Sequence, residues 1–461
     1  MNEVAAKSTL PDGWSRIALI LILGYCLMGR SFAYLGIPPW HLFIGEIILA
    51  AFLLAGPRTA RGSWTRLARR IRPLRRLLKF YLIFLVYGIF QVLRGIALGH
   101  PPLTAVRDLA FNYYPVFFLL GLWVGLRKPD FLPRLFRALA WFNGIYGSAY
   151  ILFLNRVSWT FPGVSDQVAP VPMFGLPEFS FVVLLGLLAY EPNLRKVWYL
   201  LALNGFVLLG MQVRAEWLGF AVGLLLWGWL TKRLKRMLAA GAVIAVVVAV
   251  MFVIDFKLPG PATRGGGEIS ARDLIGRAMA PLNPDLAAEY TSSYKMDVDT
   301  TVWRTIWWLA IWQSVNQSRG TSLFGFGYGF PIGELSPFIG EGEFIQTPHN
   351  VFLYALGYTG WIGVLLLALL QGELARLLWK TYRKTSQPCG IVLWAAMLSY
   401  AMFTPFLEAP YGAIPFYLLA GLLVRPLILR RPSGLLLPRL GQPRGVAPAV
   451  LGASALTVEN P

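Results

Sequence analysis

The sequence predicts an all-α polytopic membrane protein. Hydrophobic residues make up 56% of the chain and charged residues only 14%, whereas a soluble domain carries about 25% charged residues. The mean hydropathy is +0.58, and apolar runs of membrane-spanning length recur from Leu19 to Leu429. The formal net charge is +20, but the basic residues cluster in alternate short loops, as the positive-inside rule describes. We therefore expect contact with membrane lipids and no nucleic-acid partner.

The apolar runs predict about twelve transmembrane helices. Nine spans are expected between residues 16 and 254, and three more between 349 and 429. The loop Arg58–Lys79 holds nine Lys or Arg and no Asp or Glu, which assigns it to the cytoplasm. The resulting topology places both the N-terminal segment 1–15 and the tail 430–461 in the cytoplasm. The tail is rich in Pro, Gly and Arg, a composition that predicts disorder.

A long loop, residues 255–348, separates the ninth and tenth spans. It holds ten Asp or Glu against seven Lys or Arg, so it is net acidic within a basic protein and is predicted to be extracytoplasmic. Its second half carries Arg304 in an aromatic segment, and it ends just before His349. Charged groups at a membrane surface are costly unless something anionic or reactive lies beside them. We therefore predict that this loop is catalytic.

Arg214 and Arg304 are the best candidates for binding an anion. Each lies at the end of a segment, beside the outer face, with aromatic neighbours. A guanidinium binds phosphate oxygens in a bidentate manner and stays charged at any working pH, so two of them can hold a pyrophosphate. The alternative for Arg214 is neutralisation by Glu216, two residues away.

Four other arginines are predicted near the outer face. For Arg30 and Arg156 we expect contact with lipid headgroups or pairing with a nearby acid. Arg94 lies about one turn from the outer end of its span, which favours an interior role. Arg107 lies in a short outer loop, where it either binds substrate or forms a local ion pair with Asp108.

The three histidines, His41, His100 and His349, all map near the outer face. They lack any recognisable metal-site spacing, and Cys26 and Cys389 both fall in apolar segments, which supports neither a disulfide framework nor a Cys metal site. No metal or cofactor is therefore expected. His349 either caps a helix or acts as a general base, because an unperturbed histidine has a pKa of about 6.5.

Two motifs resemble ligand-binding sequences but are expected to be purely structural. Gly325-Phe-Gly327-Tyr-Gly329 resembles a phosphate-binding loop, but no strand precedes it, so we expect a turn that leaves an interfacial helix. Asp297-Val-Asp299 is expected to form a solvated acidic turn rather than a metal site. The tryptophans around Arg304 either lay a helix flat on the outer surface or form a platform on which sugars stack; they are Trp303, Trp307, Trp308 and Trp312.

The order of these motifs resembles the O-antigen ligase superfamily, which includes O-antigen polymerases and bacterial protein O-oligosaccharyltransferases. The resemblance depends on motifs that follow one another within about twelve spans. They are Arg214-x-x-x-Leu218, Trp303-Arg304 leading into Leu323–Gly329, and His349-Asn350-x-x-Leu353 running on to Gly357-x-x-Gly360-x-x-Gly363, with milder similarity at Gly45-Glu46 and Arg107-Asp108.

The resemblance implies a C-type glycosyltransferase fold in the bacterial inner membrane, with its site on the periplasmic side. The donor implied is a glycan on undecaprenyl pyrophosphate, and the acceptor is a glycan or lipid hydroxyl. By analogy Arg214 and Arg304 bind the pyrophosphate, and His349 deprotonates or orients the acceptor, with inversion at the anomeric carbon and no metal. The positions expected to contact substrate are Arg94, Arg107, Asn350, Trp303 and Glu216.

Several functions remain open at this stage. The His-Asn-x-x-Leu element favours a ligase that transfers a finished glycan to an acceptor such as lipid A–core. A polymerase that joins lipid-linked repeat units is the nearest alternative. A protein O-oligosaccharyltransferase is less favoured, since no extra C-terminal outer domain is evident. A transporter of lipid-linked oligosaccharide predicts internal repeats and discontinuous helices, and the sequence gives no sign of either.

Overall fold

A computed structural model describes residues 13–37, 42–55, 72–128, 130–165, 170–191, 193–261, 267–280, 283, 290, 294–336 and 347–428. Most of the predicted N-terminal segment 1–15, most of the basic loop Arg58–Lys79, the tail 430–461 and His41 lie outside these residues. The described chain is mostly helical, which confirms the all-α prediction, and its strands form three two-stranded antiparallel hairpins.

The helices up to the long loop follow one another in chain order. They are α1 (Gly13–Ala33), α2 (Ile44–Ala55), α3 (Arg72–Ala97), α4 (Pro102–Asp108), α5 (Ala110–Tyr113), α6 (Phe117–Arg127), α7 (Phe131–Leu152), α8 (Ser180–Tyr190), α9 (Trp198–Gly210), α10 (Arg214–Leu230) and α11 (Leu234–Val253). Two hairpins lie between them. They pair β1 (Gly36–Ile37) with β2 (Leu42–Phe43), and β3 (Thr160–Ser165) with β4 (Pro170–Pro172).

The remaining elements run from the long loop to the last helix. They are the hairpin β5 (Lys257–Pro259) with β6 (Glu268–Ser270), and the helices α12 (Ala271–Met279), α13 (Tyr294–Val315), α14 (Arg319–Phe324), α15 (Val351–Thr385), α16 (Cys389–Ala401) and α17 (Pro410–Ile428). In the β5–β6 pair Leu258 lies opposite Ile269. The predicted loop 255–348 is therefore largely folded, and Asp297 and Asp299 lie within α13 rather than in the acidic turn we expected.

Five helical stretches of the described chain are long and apolar enough to cross a membrane. They are Gly13–Ala33, Leu74–Ala97, Pro102–Arg127, Val351–Thr385 and Pro410–Ile428. Four apolar helices of the described chain are shorter. They are Ile44–Leu54, Ser180–Tyr190, Trp198–Gly210 and Cys389–Ala401. These helices confirm a membrane protein, while the figure of about twelve spans stays a prediction.

The short outer loop predicted around Arg107 and Asp108 is wrong. Both residues lie in α4, which continues through α5 and the 3-10 turn Tyr114–Val116 into α6 as one apolar stretch. Pro102 occupies the first turn of α4, where its fixed φ favours a helix start and its missing N–H costs nothing. Part of the segment that we predicted to be a loop is therefore the beginning of a helix.

Two membrane helices of the described chain are broken, contrary to our expectation of continuous helices. Gly29 interrupts α1 with φ 47° and ψ −117°, and Gly360 interrupts α15 with φ 67° and ψ −170°. Glycine adopts such positive φ values without steric cost. At each break another backbone segment approaches: the carbonyl of Leu176 at Gly29, and the backbone of Leu323 and Gly325 at Gly360.

The glycine-rich segment is a turn, as predicted, and it packs between α3 and α15. Gly325, Gly327 and Gly329 all have positive φ. Phe326 N donates to the carbonyl of Gly357 at 2.8 Å, and Gly327 N donates to that of Tyr358 at 3.0 Å. A side chain on any of these glycines would be strained, so the glycines serve close backbone packing.

Replacing Gly95 by alanine is expected to lower thermal stability. A Cβ atom at Gly95 would overlap the carbonyl oxygen of Tyr328, and overpacking typically costs about 1–3 kcal/mol. In the matched control Gly205→Ala, the new Cβ in α9 meets nothing within 4 Å, and the higher helix propensity of alanine favours a stable protein. Thermal unfolding in detergent compares them, and equal melting temperatures for both variants would contradict this packing.

Candidate functional site

His349 lies two residues before the start of α15, in a turn whose backbone conformation is strained. Its φ of 55° is uncommon for a residue with a side chain. Its Nδ1 lies 3.0 Å from the carbonyl oxygen of Thr347. A carbonyl oxygen only accepts, so Nδ1 carries the hydrogen and Nε2 carries the lone pair.

The surroundings of His349 keep its ring neutral. Burial lowers its pKa to about 4, and the positive charges of Arg304 and Arg30 act in the same direction, while the contact with Thr347 opposes them. At neutral pH the imidazole is therefore unprotonated. Nε2 is available to accept a proton or a hydrogen bond.

The helix cap at this point is Asn350, not His349. Asn350 Oδ1 accepts the backbone N–H groups of Phe352 at 3.0 Å and Leu353 at 3.1 Å, which satisfies two of the four free donors at the start of a helix. Asn350 therefore supplies the side-chain cap of this helix, and the role of His349 as a general base stays a prediction. The expected contact of Asn350 with substrate stays a prediction.

Helix α13 holds Arg304 beside His349, as the sequence predicts. Arg304 Nη1 donates to the carbonyl of Phe403 at 3.2 Å. The Trp303 ring meets the His349 ring edge-on, with centroids 6.0 Å apart and planes at 75°. Trp308 Nε1 donates to the carbonyl of Pro348 at 2.6 Å. Helix α13 thus packs Trp303 and Trp308 against residues 348–349 and places Arg304 within electrostatic range of His349.

The buried side chain that anchors α13 is Trp307. It is fully buried, and its Nε1 donates to the carbonyl of Ile332 at 3.1 Å. Trp303, one turn earlier on the same helix face, packs against it with centroids 5.2 Å apart. Both interpretations of the tryptophan cluster are therefore wrong for Trp307, which reaches neither lipid nor sugar. Trp312 is exposed and meets Trp361 edge-on at 5.5 Å.

Arg214 is the first residue of α10, and Glu216 lies in the first turn of that helix. Glu216 is fully buried and lies within electrostatic range of Tyr400 near the end of α16. Phe403, whose carbonyl binds Arg304, follows Tyr400 by three residues. The start of α10 and the start of α15 therefore both lie near the end of α16. Glu216 of α10 acts on Tyr400, and Arg304, which acts on His349, binds the carbonyl of Phe403. A helix start also favours a bound anion through its dipole.

Arg94 and Asp108 both make hydrogen bonds at the glycine-rich turn. Arg94 Nη1 donates to the carbonyl of Phe324 at 3.3 Å, and Asp108 Oδ2 accepts the N–H of Gly329 at 2.8 Å. Arg107 acts electrostatically on Asp108, whose hydrogen bond goes to the turn. These contacts position α3 and α4 against the turn rather than against His349.

His100 also contacts the glycine-rich turn. Its Nδ1 lies 3.1 Å from the carbonyl oxygen of Tyr328, so His100 and His349 contact different segments. Among the residues that the structure describes, no three His, Cys, Asp or Glu side chains gather as a metal site requires. Cys26 and Cys389 are both buried free thiols.

Sequence reasoning missed Glu408, in the connection 402–409 between α16 and α17. Its Oε2 accepts the N–H of Phe406 at 3.2 Å, and its Oε1 has no hydrogen-bond partner among the described residues. Burial raises its pKa to about 8, although backbone N–H groups favour the charged form. The same connection carries the carbonyl of Phe403 that binds Arg304. The sequence feature that could have identified Glu408 is its position as an acid between the last two apolar runs, where ionisable residues are rare.

The fold and this site define a polytopic helical membrane protein with cations arranged around a neutral histidine. Residues 199–368 match the family model described as O-antigen ligase, and this match confirms the resemblance to that superfamily. The matched range includes Arg214, Arg304 and His349. The chain matches none of the curated proteins with which it was compared. Together, the apolar helices and the family indicate a bacterial inner-membrane enzyme of the glycan ligase or polymerase type.

Proposed function

We propose that the protein is an O-antigen ligase: it moves a glycan from undecaprenyl pyrophosphate to a hydroxyl of lipid A–core or a similar acceptor. The observation that carries this proposal is the neutral His349, with its Nε2 lone pair, in the electrostatic field of Arg304. A base beside a cation is the arrangement that attack by a hydroxyl on a pyrophosphate-linked sugar requires. Transfer takes place on the periplasmic side, and both termini lie in the cytoplasm.

The donor end of the site is assigned to Arg304 and Arg214. Arg304 binds the pyrophosphate through its guanidinium, and Arg214 adds a second cation at the start of α10, where the helix dipole also favours an anion. As the anomeric C–O bond breaks, its electron pair passes to the pyrophosphate oxygen. Charge-assisted hydrogen bonds are strongest at that developing charge.

The acceptor end of the site is assigned to His349. Nε2 takes the proton from the acceptor hydroxyl, and the oxygen attacks the anomeric carbon from the side opposite the pyrophosphate. A glycosidic bond forms, undecaprenyl pyrophosphate leaves, and the configuration inverts. The proton on Nε2 is then released to water or to the departing pyrophosphate, so the base is regenerated without a metal or a cofactor.

Binding of the donor makes His349 a stronger base. With a pKa of about 4, its free form holds a proton weakly, because burial and two cations oppose protonation. A pyrophosphate on Arg304 offsets that positive charge, so the pKa of His349 rises toward its ordinary value of about 6.5. General bases work best with a pKa near the working pH. The acceptor is therefore activated when the donor is in place.

The test is glycan transfer by the purified protein with a glycan on undecaprenyl pyrophosphate and candidate acceptors. A single shift of the acceptor by one whole glycan is the result expected of a ligase. A ladder of lengthening carrier-linked glycan would instead identify a polymerase. The ligase proposal is overturned if no covalent product forms and the lipid-linked glycan crosses liposomes, which would identify a transporter.

Glycan transfer is expected to persist in excess EDTA. The mechanism neutralises the pyrophosphate with arginines, whose charge needs no metal. Initial rates with and without EDTA, followed by addition of Mg²⁺ or Mn²⁺, measure this directly. A large loss in EDTA that either ion restores would contradict the mechanism and redirect attention to Asp297 and Asp299.

A further inference from the structure

Arg30 follows the break in α1 and is held there by backbone packing. Gly29 has φ 47° and ψ −117°, and a Cβ atom there would lie 3.1 Å from the carbonyl oxygen of Leu176. A Cβ atom on Gly175 would overlap the carbonyl oxygen of Met28. The end of α1 is therefore clamped against residues 175–176, and the backbone of Arg30 is fixed in place.

The segment that clamps α1 leads directly to the residues that hold Arg304. Glu178, two residues after Leu176, accepts the hydroxyl of Tyr400 at 3.1 Å. Three residues beyond Tyr400, the carbonyl of Phe403 accepts Arg304 Nη1 at 3.2 Å.

Arg30 lies within electrostatic range of His349, just before α15, and of Tyr411, at the start of α17. Helix α1 also packs along α17, and Gly45 of α2 lies close to both Tyr25 of α1 and Ile414 of α17. Arg30 therefore approaches His349 from α1, whereas Arg304 approaches it from α13.

The guanidinium of Arg30 has an environment suited to a ligand rather than to core packing. The residue is exposed, and its guanidinium carbon lies 5.8 Å from the centroid of the Tyr34 ring, at a distance typical of a cation–π contact. Tyr34 is itself set edge-on against Phe43, with centroids 5.2 Å apart. A guanidinium presents five N–H donors in a planar fork, a geometry that suits anionic oxygens.

Two acids of the described chain, Glu178 and Glu408, lie in this region. Glu178 and Glu408 both act electrostatically on Tyr411, and Glu178 Oε2 accepts the hydroxyl of Tyr400 at 3.1 Å. Glu408 is buried, and its raised pKa keeps it mostly protonated at pH 7. The positive charges that act on the ring of His349 are those of Arg304 and Arg30.

We propose that Arg30 is a further anion-binding residue of the active site, which holds an anionic oxygen of a substrate on the side of His349 fixed by α1. The ligand is either the pyrophosphate of the donor or an acidic group of the acceptor, since both present the same oxyanion chemistry. This assignment replaces the headgroup contact expected from the sequence. It rests on the proposed function and extends it to the ligand of a specific residue.

The test compares Arg30→Gln with Arg30→Lys and with Arg156→Gln in reconstituted glycan transfer. Arg156 is the matched control, because it is exposed at the end of the 3-10 turn Leu154–Arg156 and was expected to share the headgroup role. Loss of a charge-assisted hydrogen bond predicts a fall in kcat/KM of roughly 10- to 100-fold for Arg30→Gln. Arg30→Lys keeps the charge and should recover part of it, while Arg156→Gln should match the wild type.

The two sources of the oxyanion are separated by varying one substrate at a time. A raised KM for the lipid pyrophosphate identifies the donor, and a raised KM for the acceptor identifies its acidic group. The proposal is overturned if Arg30→Gln behaves like Arg156→Gln in vesicles of zwitterionic and of anionic lipid alike. A wild type without transferase activity would reject the proposed function itself, so the two failures remain distinguishable.

Discussion

Replacement of Arg304 by alanine is expected to reduce glycan transfer by about 10²- to 10³-fold, the range found when a donor to a developing oxyanion is removed. The guanidinium lies beside the neutral His349 and is oriented by the carbonyl of Phe403. Without it the departing pyrophosphate loses its nearest cation. Initial rates of transfer by the purified variant, with saturating acceptor, measure the effect.

Two companion variants separate chemistry from folding. Arg304→Lys keeps the charge but not the planar fork, so its activity should lie between those of the wild type and the alanine variant. Arg319→Ala removes an exposed arginine from the start of α14 and should leave transfer unchanged. The assignment of Arg304 would be wrong if Arg304→Ala, folded and inserted normally, transferred glycan at the rate of Arg319→Ala.

Replacement of His349 by glutamine is expected to reduce transfer by about 10²- to 10⁴-fold, the usual contribution of a positioned general base. Glutamine can fill the site and donate to Thr347, but it cannot accept a proton. His100→Gln is the matched control, because His100 makes the same kind of contact, through Nδ1 to a backbone carbonyl, in the glycine-rich turn. Equal rates for the two variants would make His349 a structural residue.

The pH dependence gives an independent test of the base. The pKa of His349 is lowered to about 4 without the donor, so in the wild type kcat/KM for the donor, which reports the donor-free enzyme, should fall only as the pH drops through about 4, where Nε2 becomes protonated. Arg304→Gln removes one of the cations that lower this pKa. Its residual activity should therefore be lost at a pH above 4 but below 6.5, because burial, the largest cause of the lowered pKa, remains. An acid limb that stays in place would contradict the coupling between the two residues.

Much of this site follows from sequence order and topology. Arg304 lies within the predicted loop 255–348 and His349 follows its end. Both ends of a loop between two membrane spans must lie at the same membrane surface. The turn at Gly325–Gly329 was likewise predictable, because several closely spaced glycines imply positive φ and close packing. These inferences depend on local chemistry and on chain direction, which a sequence displays.

Other features depend on tertiary contacts that a sequence does not display. Trp307 is buried while Trp312, on the same helix, is exposed. The packing of α15 against α13 determines which of the two side chains is buried. Arg30 is separated from His349 by most of the chain, and only the packing of α1 and its break at Gly29 bring them together. Glu408 enters the site region through the connection 402–409, whose shape no periodicity predicts.

The measurement that tests the central claim most directly is a titration of His349 by ¹⁵N NMR on histidine-labelled protein, with and without undecaprenyl pyrophosphate. The chain has three histidines, and the His349→Gln variant assigns the signal. We expect a neutral ring with hydrogen on Nδ1, a pKa near 4 without the lipid, and a rise in that pKa when the pyrophosphate binds. A pKa near 6.5 that does not respond to the lipid would show that Arg304, His349 and the donor do not share one site.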